Sequence, residues 1–247
     1  MLRSARRRGN DKGSHRRSPP WGCSGDQSPR RRRSARLRPP GRHHRCRVGP
    51  IAGSVIIANH TSLSDPAIVL AALHRLGTEP IVLTAAGLWH VPLLGRVLTR
   101  EGHIPVHRHD PRAAQALHEA QAALTAGRSV LLYPEGGLPH RKGVREAPPR
   151  PFHPGLFHLA HATGAQIVPV GQAGARALAS GSPLEQVARL LTAPLRRPRL
   201  HVHIGGPLRL DSEQTQAQAL ALTHSALAQA WHTSARQIGA PVLLTGR

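Results

Sequence analysis

From Val48 onward the chain alternates short apolar runs with helix-like segments, and nothing else in its 247 residues restricts the fold so strongly. Residues 54–58 read as a first strand and 65–76 as the helix after it. Residues 80–84 form a second strand, 88–100 a helix with Leu, Val and Trp on much of its surface, and 104–106 a short third strand. Over residues 111–126, Leu117, Ala120 and Leu124 fall on one helical face. Residues 129–133 are a strand that enters the turn Pro134-Glu135-Gly136-Gly137, and a Pro-, Arg- and His-rich loop then runs to Pro151. A helix over 154–163, strands over 166–170 and 200–204, and an Ala/Gln-rich helix over 212–237 complete the series. Strands alternating with helices predict one α/β domain, with a mixed, largely parallel central sheet flanked by helices.

The residues ahead of this pattern are of another kind. Residues 1–47 hold 16 of the 34 Lys and Arg but two of the 12 Asp and Glu, a net of +14 out of the chain's +22. Arg, Pro, Ser and Gly dominate, and such a segment buries too little apolar surface to offset its conformational entropy. The expected division is a disordered Arg/Pro-rich tail over 1–47 and a folded domain over 48–247. Arg30, Arg31, Arg32 and Arg33 would suit nucleic-acid phosphates or an anionic membrane leaflet. No base-stacking aromatic pattern accompanies them, which argues against nucleic acid. A solvated extension without a selected role explains the composition equally well.

Both cysteines, Cys23 and Cys46, lie in the tail, so no disulfide framework is expected and a reduced, cytoplasmic setting is. His43, His44 and Cys46 lack a second ligand pair at zinc spacing and are flanked by arginines, so no metal site is expected. The basic start has no apolar h-region behind it, and no apolar run approaches the ~20 residues that cross a bilayer. Any membrane contact is therefore expected to be peripheral.

The stretch VIIANHTSLSDPAIVL, residues 55–70, holds the first candidate chemistry. Asp65 before Pro66 resembles a helix start, a cap carboxylate followed by proline at the first helical position. His60 is then one loop histidine among 18. The other reading is a proton-transfer pair. A neutral imidazole takes a proton from an attacking alcohol while a carboxylate holds its other nitrogen. No Gly-x-Ser-x-Gly elbow is present, which favours a substrate hydroxyl over a protein serine as the nucleophile.

Three more segments follow in order: Gly102-His103-Ile104-Pro105-Val106-His107-Arg108, Leu132-Tyr133-Pro134-Glu135-Gly136-Gly137 and Ala165-Gln166-Ile167-Val168-Pro169-Val170. Together with Asn59-His60-Thr61-Ser62-Leu63-Ser64-Asp65, the series resembles the four sequence blocks of the glycerolipid acyltransferase family, whose best-known members are 1-acylglycerol-3-phosphate acyltransferases. The resemblance spans about residues 50–210. It implies His60 as general base, with Asn59 before it in the block, and Asp65 as the acid that orients the imidazole. It implies Arg108 as a guanidinium on the acceptor's phosphate. Glu135 and Gly136 would shape the acceptor site, and Pro169 would stand towards its acyl end.

The implied partners are an acyl thioester donor, on coenzyme A or an acyl carrier protein, a lysophospholipid acceptor and a membrane surface. No cofactor is implied beyond the donor. The expected location is cytoplasmic, at the inner face of the plasma membrane. Residues 88–98 would lie in the lipid interface, or else pack their leucines on the sheet as amphipathic helices usually do. The third block departs from the family's usual Glu-Gly-Thr-Arg: here Gly137-Leu138 follow Gly136, and Arg141 or Lys142 is the nearest replacement charge. That departure bears on whether the acceptor is phosphorylated. Two alternatives follow: the same chemistry on another, non-phosphorylated acceptor, or a catalytically inactive basic protein that holds nucleic acid or membrane.

Overall fold

In the computed structural model, residues 51–108, 110, 112–138, 145–181 and 183–240 are described. The Arg-rich tail, both cysteines, Arg141 and Lys142 lie outside the described residues. The elements are β1 (Val55–Ala58), α1 (Asp65–His74), β2 (Ile81–Ala85), a 3-10 turn (Ala86–His90), α2 (Leu94–Arg100), β3 (Ile104–Val106), α3 (Ala113–Thr125) and β4 (Val130–Leu132). They continue as α4 (Gly155–Thr163), β5 (Ile167–Ala173), α5 (Ala175–Leu178), α6 (Pro183–Arg196), β6 (His201–Ile204) and α7 (Gln216–Ile238). The sheet order is β3-β2-β4-β1-β5-β6. Every neighbouring pair is parallel except β5 with β6. The fold is the expected mixed, largely parallel α/β sheet.

β1 shows why the central strands read as unbroken apolar runs. Val55 and Ile57 face a core shared with Ala116 and Ala120 of α3, Leu156 and Leu159 of α4 and Leu227 of α7. Ile56 and Ala58 face Val69 and Leu73 of α1 on the other side. Burial on both faces removes the polar alternation of a half-exposed strand, and each fully buried Ile contributes about 1.5–3 kcal/mol. α7 lies close across β5 because Gly171 leaves room for it: a Cβ there would overlap the backbone of Ala230 and Trp231. Ser234 completes the contact by donating to the Gly171 carbonyl at 2.8 Å.

Two expectations change. The helix over 88–100 is two pieces, since Pro92 holds Val91 extended at φ −79°, ψ 120°. Leu94 N–H donates to the Pro92 carbonyl at 2.8 Å, and Leu93 between them has φ 66°, ψ −48°. That is a γ-turn of the rare positive-φ hand. α2 then buries Leu98, while Val91, Leu93, Leu94 and Val97 stay exposed, so most of this segment's apolar side chains do not pack on the sheet. The second change is α6, a helix absent from the sequence reading, with Pro194 inside it.

Candidate active site

Because β1, β2, β3, β4 and β5 run parallel, their C-terminal ends meet at one edge of the sheet, where open α/β folds place their sites. His60 follows β1, Arg108 follows β3, Glu135 follows β4 and Gln172 is near the end of β5. Topology makes β4 and β5 the two neighbours of β1. The groups 75 and 112 residues downstream of His60 are thereby brought beside it.

The helix α1 begins at Asp65, so the cap position belongs to Ser64, which makes no side-chain cap bond. The expectation of Asp65 as an N-cap is corrected accordingly. Its carboxylate points back into the preceding turn: Oδ2 accepts from Thr61 N–H at 2.5 Å and Ser62 N–H at 2.8 Å, and Oδ1 from the Thr61 hydroxyl at 3.3 Å. The same Oδ2 lies 3.1 Å from His60 Nδ1. Asp65 is fully buried, whereas the His60 side chain keeps 14% exposure. A carboxylate fixed by backbone donors thus faces Nδ1 of the imidazole. The Tyr133 ring packs on the imidazole with centroids 4.5 Å apart. Burial, and then the Asp65 charge, hold the Tyr133 phenol well above its ordinary pKa.

The turn carrying His60 is tied to the sheet on both sides. Asn59, fully buried, donates through Nδ2 to the Gln172 carbonyl at 3.0 Å and accepts from Gln172 N–H at 2.8 Å. Its amide therefore extends the β1–β5 ladder past the strand end, a structural duty. Gln172 Nε2 donates to the Thr61 hydroxyl at 3.1 Å, and buried Arg176 donates to the Thr61 carbonyl at 2.9 Å. Behind Arg176 lies Glu146, whose carboxylate accepts from Gly174 N–H at 2.8 Å and from the Trp231 indole at 3.5 Å. Burial pushes the Glu146 carboxyl pKa up, the Gly174 and Trp231 bonds and Arg176 oppose that, and the Asp65 charge adds to it.

On the β4 side, Glu135 is almost buried and acts as a bridge. Oε1 accepts from His60 N–H at 2.8 Å, and Oε2 from Arg150 N–H at 3.0 Å. Gly136 turns the chain at φ 73°, and a Cβ there would overlap the His153 ring. Arg108 Nη1 lies 3.1 Å from where a Cβ on Gly137 would sit. The structure therefore gathers Asn59, His60, Asp65, Arg108, Glu135 and Gly136. Pro169 is buried within β5 opposite Ile57, with Gly205 against its ring. The β5 residue that reaches the His60 turn is Gln172.

Several backbone donors near His60 are already engaged: Thr61 and Ser62 with Asp65, and Gly136 with the Tyr133 carbonyl at 3.1 Å. A cleft of about 290 Å³ opens between Ala86, Gly87, Val106 and Arg108. A larger one of about 430 Å³ lies beside Trp89 and α2, away from the His60–Asp65 pair. The smaller cleft is the one that borders a site residue, Arg108.

The fold and site define an open α/β sheet with a carboxylate–imidazole pair, His60 and Asp65, at its C-terminal edge. The acyltransferase family profile matches residues 42–172, just over half of the chain, and the chain belongs to that family. It is 28% identical over 117 residues to the chloroplastic 1-acyl-sn-glycerol-3-phosphate acyltransferase BAT2 of Brassica napus, a match covering 47% of this chain and 31% of that protein. The 1-acyl-sn-glycerol-3-phosphate acyltransferase of Limnanthes alba is 34% identical over 121 residues, covering 47% of this chain and 40% of that one. The matches thus span less than half the length of these curated relatives. The crystal structure of the 1-acyl-sn-glycerophosphate acyltransferase PlsC from Thermotoga maritima superposes with a TM-score of 0.53 at 17% identity, covering 73% of this chain and 65% of that one. That likeness establishes the shared fold.

Proposed function

We propose that the protein moves a fatty acyl group from a thioester, on coenzyme A or an acyl carrier protein, to the free hydroxyl of 1-acylglycerol 3-phosphate, forming phosphatidate. The observation that carries the reading is the 3.1 Å contact of His60 Nδ1 with buried Asp65. With Nδ1–H donated to the carboxylate, Nε2 is the basic nitrogen. It takes the acceptor's hydroxyl proton as that oxygen attacks the thioester carbonyl. The tetrahedral intermediate then expels the thiolate, which recovers the proton from the imidazolium. Asp65 stays ionised throughout, as in serine hydrolases. The acceptor in this proposal comes from the names of the relatives and from Arg108, whose guanidinium suits a phosphate monoester.

Membrane contact belongs to the same proposal. Among the described residues no helix is long and apolar enough to cross a bilayer. The γ-turn at Leu93, with Val91, Leu94 and Val97 exposed beside Trp89, Arg96 and Arg100, supports interfacial seating on anionic lipid at the inner face of the plasma membrane. Purified full chain with radiolabelled acyl-CoA and lysophosphatidate is expected to yield phosphatidate. His60→Ala should lower the rate by about a hundred- to ten-thousand-fold, the scale of a lost general base; unchanged turnover would refute the mechanism. A second reading, a non-phosphorylated acceptor, is favoured by Gly137-Leu138 in place of the family's Thr-Arg. A screen of acceptors read by thiol release separates the two.

A further inference from the structure

We infer that Arg150, which lies outside all four sequence blocks, supplies the second guanidinium of an anion cradle with Arg108, in place of the one missing at Leu138, and thereby selects a phosphate-bearing acceptor. The inference rests on the acyl-transfer reading above and adds a specificity-determining residue to it. Three basic side chains close around the Gly136–Gly137 backbone. The His153 ring occupies the space a Gly136 side chain would need, and Arg108 Nη1 covers Gly137. Arg150 Nη2 donates to the Gly137 carbonyl and, at 3.4 Å, to the Glu135 carbonyl. Two guanidiniums thus meet one glycine, Arg150 at its carbonyl and Arg108 where a side chain would stand.

Their charge is offset only in part, by Glu135 beside Arg150. Asp110 is the acid closest to Arg108 in sequence, but it pairs with Arg112 at 2.7 Å, and bonds from Arg112 hold its carboxyl at about 2. Glu135 does approach Arg150, yet the contact is through Nε at 3.4 Å, longer than the roughly 2.7–2.9 Å of a strong charge-assisted bond. Both Glu135 oxygens are also engaged by the backbone N–H groups of His60 and Arg150. The Arg150 side chain is 36% exposed, with Nε and Nη2 turned towards Glu135 and Gly137, so it stands at the rim of the turn. A doubly charged phosphate monoester complements this arrangement, and an uncharged hydroxyl headgroup does not. Because Glu135 also holds His60 N–H, an acceptor gripped here lies beside the base.

The test compares full-length wild type with Arg150→Gln and Arg150→Lys. Arg150→Gln keeps the backbone bond to Glu135 and removes the charge. The expected result is a KM for lysophosphatidate raised about tenfold or more, a much smaller loss on monoacylglycerol measured beside it, and partial recovery in Arg150→Lys. Equal losses on both acceptors would make Arg150 a mere staple of the turn and overturn the inference. Calorimetric binding of glycerol 3-phosphate, with glycerol as the control, reads the cradle without catalysis. Weaker binding to Arg150→Gln supports the cradle even if no thioester is consumed, in which case only the acyl-transfer reading fails. Equal binding to both proteins rejects the cradle even in an active enzyme.

Discussion

The two halves of the site are built in opposite ways. The His60 half is set by burial: Asp65 is fully enclosed, and the turn around it is tied by Asn59, Gln172 and Arg176 to groups more than 100 residues away. The Arg108 half is set by exposed side chains from the end of edge strand β3 and from the loop after β4. Geometry for proton transfer must be held within fractions of an ångström, and packing provides that. Recognition of a headgroup tolerates longer, more mobile side chains, and loops can exchange them without disturbing the sheet. That contrast explains how the third block can lose its Thr-Arg while His60, Asp65 and their supports stay in place.

Asp65 tests the buried half hardest, because one residue serves both the turn and the base. In Asp65→Asn the amide oxygen can still accept from Thr61 N–H and Ser62 N–H, but the charge opposite the imidazole is gone. Activity should fall by about a hundred- to ten-thousand-fold, with the melting temperature close to wild type. Asp65→Ala should lose activity to the same extent and also destabilise the fold by about 1–3 kcal/mol for each backbone donor left unpaired. Thermal unfolding beside thioester turnover separates the two. Equal stability of the Asn and Ala variants would mean the carboxylate does not organise the turn.

The two glycines of the exposed half give the next largest effect, and they should differ. Gly136→Ala places a side chain at φ 73° and against His153, and should cost about 1–2 kcal/mol. Gly137→Ala meets only Arg108 Nη1 at 3.1 Å. That exposed guanidinium can give way, so stability should stay within about 0.5 kcal/mol while the KM for the acceptor rises. Urea unfolding of both variants and one acceptor titration would settle whether Arg108 is held against this turn.

Much of the sheet was legible in the sequence, because the buried strands are apolar runs bounded by Gly, Pro and polar residues, and all six were placed to within a few residues. Strand order was not, since it depends on which C-terminal ends pack together. α6 was missed because Pro194 lies inside it, against the usual rule for helices. The helix expected over 88–100 breaks where Pro92 forces an extended residue ahead of it. In the site, the spacing of His60 and Asp65 fits a helix start equally well, and the pair stands out only through the order of the four sequence blocks. Gln172, Arg176, Glu146 and Arg150 do not, because their partners belong to other segments of the chain and leave no spacing signature. Gln172 had one available signal, an amide inside the otherwise apolar strand β5.

Glu146 offers a smaller, pH-dependent test of the buried half. Its carboxyl pKa is raised by burial above the ordinary 4.5, so the folded protein holds this proton more tightly than the unfolded chain. The stability it confers is complete below the ordinary value and is lost as pH rises through the folded-state value. Glu146→Gln keeps an acceptor for Gly174 N–H and removes the titration. Its melting temperature should gain on wild type as pH rises above about 4.5. Parallel curves across that range would mean the carboxyl does not carry the burial cost assigned to it.

The smallest effect concerns Leu93, where the exposed region carries strain that the buried one does not. A non-glycine residue at φ 66°, ψ −48° costs of order 1–3 kcal/mol, and nothing in the core repays it, since Leu93 is 72% exposed. A glycine would relieve the backbone and remove the apolar tip. Leu93→Gly should therefore leave stability unchanged or slightly raised, yet weaken binding to vesicles containing anionic phospholipid. Leu93→Met keeps the apolar tip and should keep the binding. Sedimentation with vesicles, beside thermal unfolding, checks both. If Leu93→Gly binds lipid as well as wild type, the turn is strained for some reason other than lipid contact, and Trp89 and Val97 become the side chains to test.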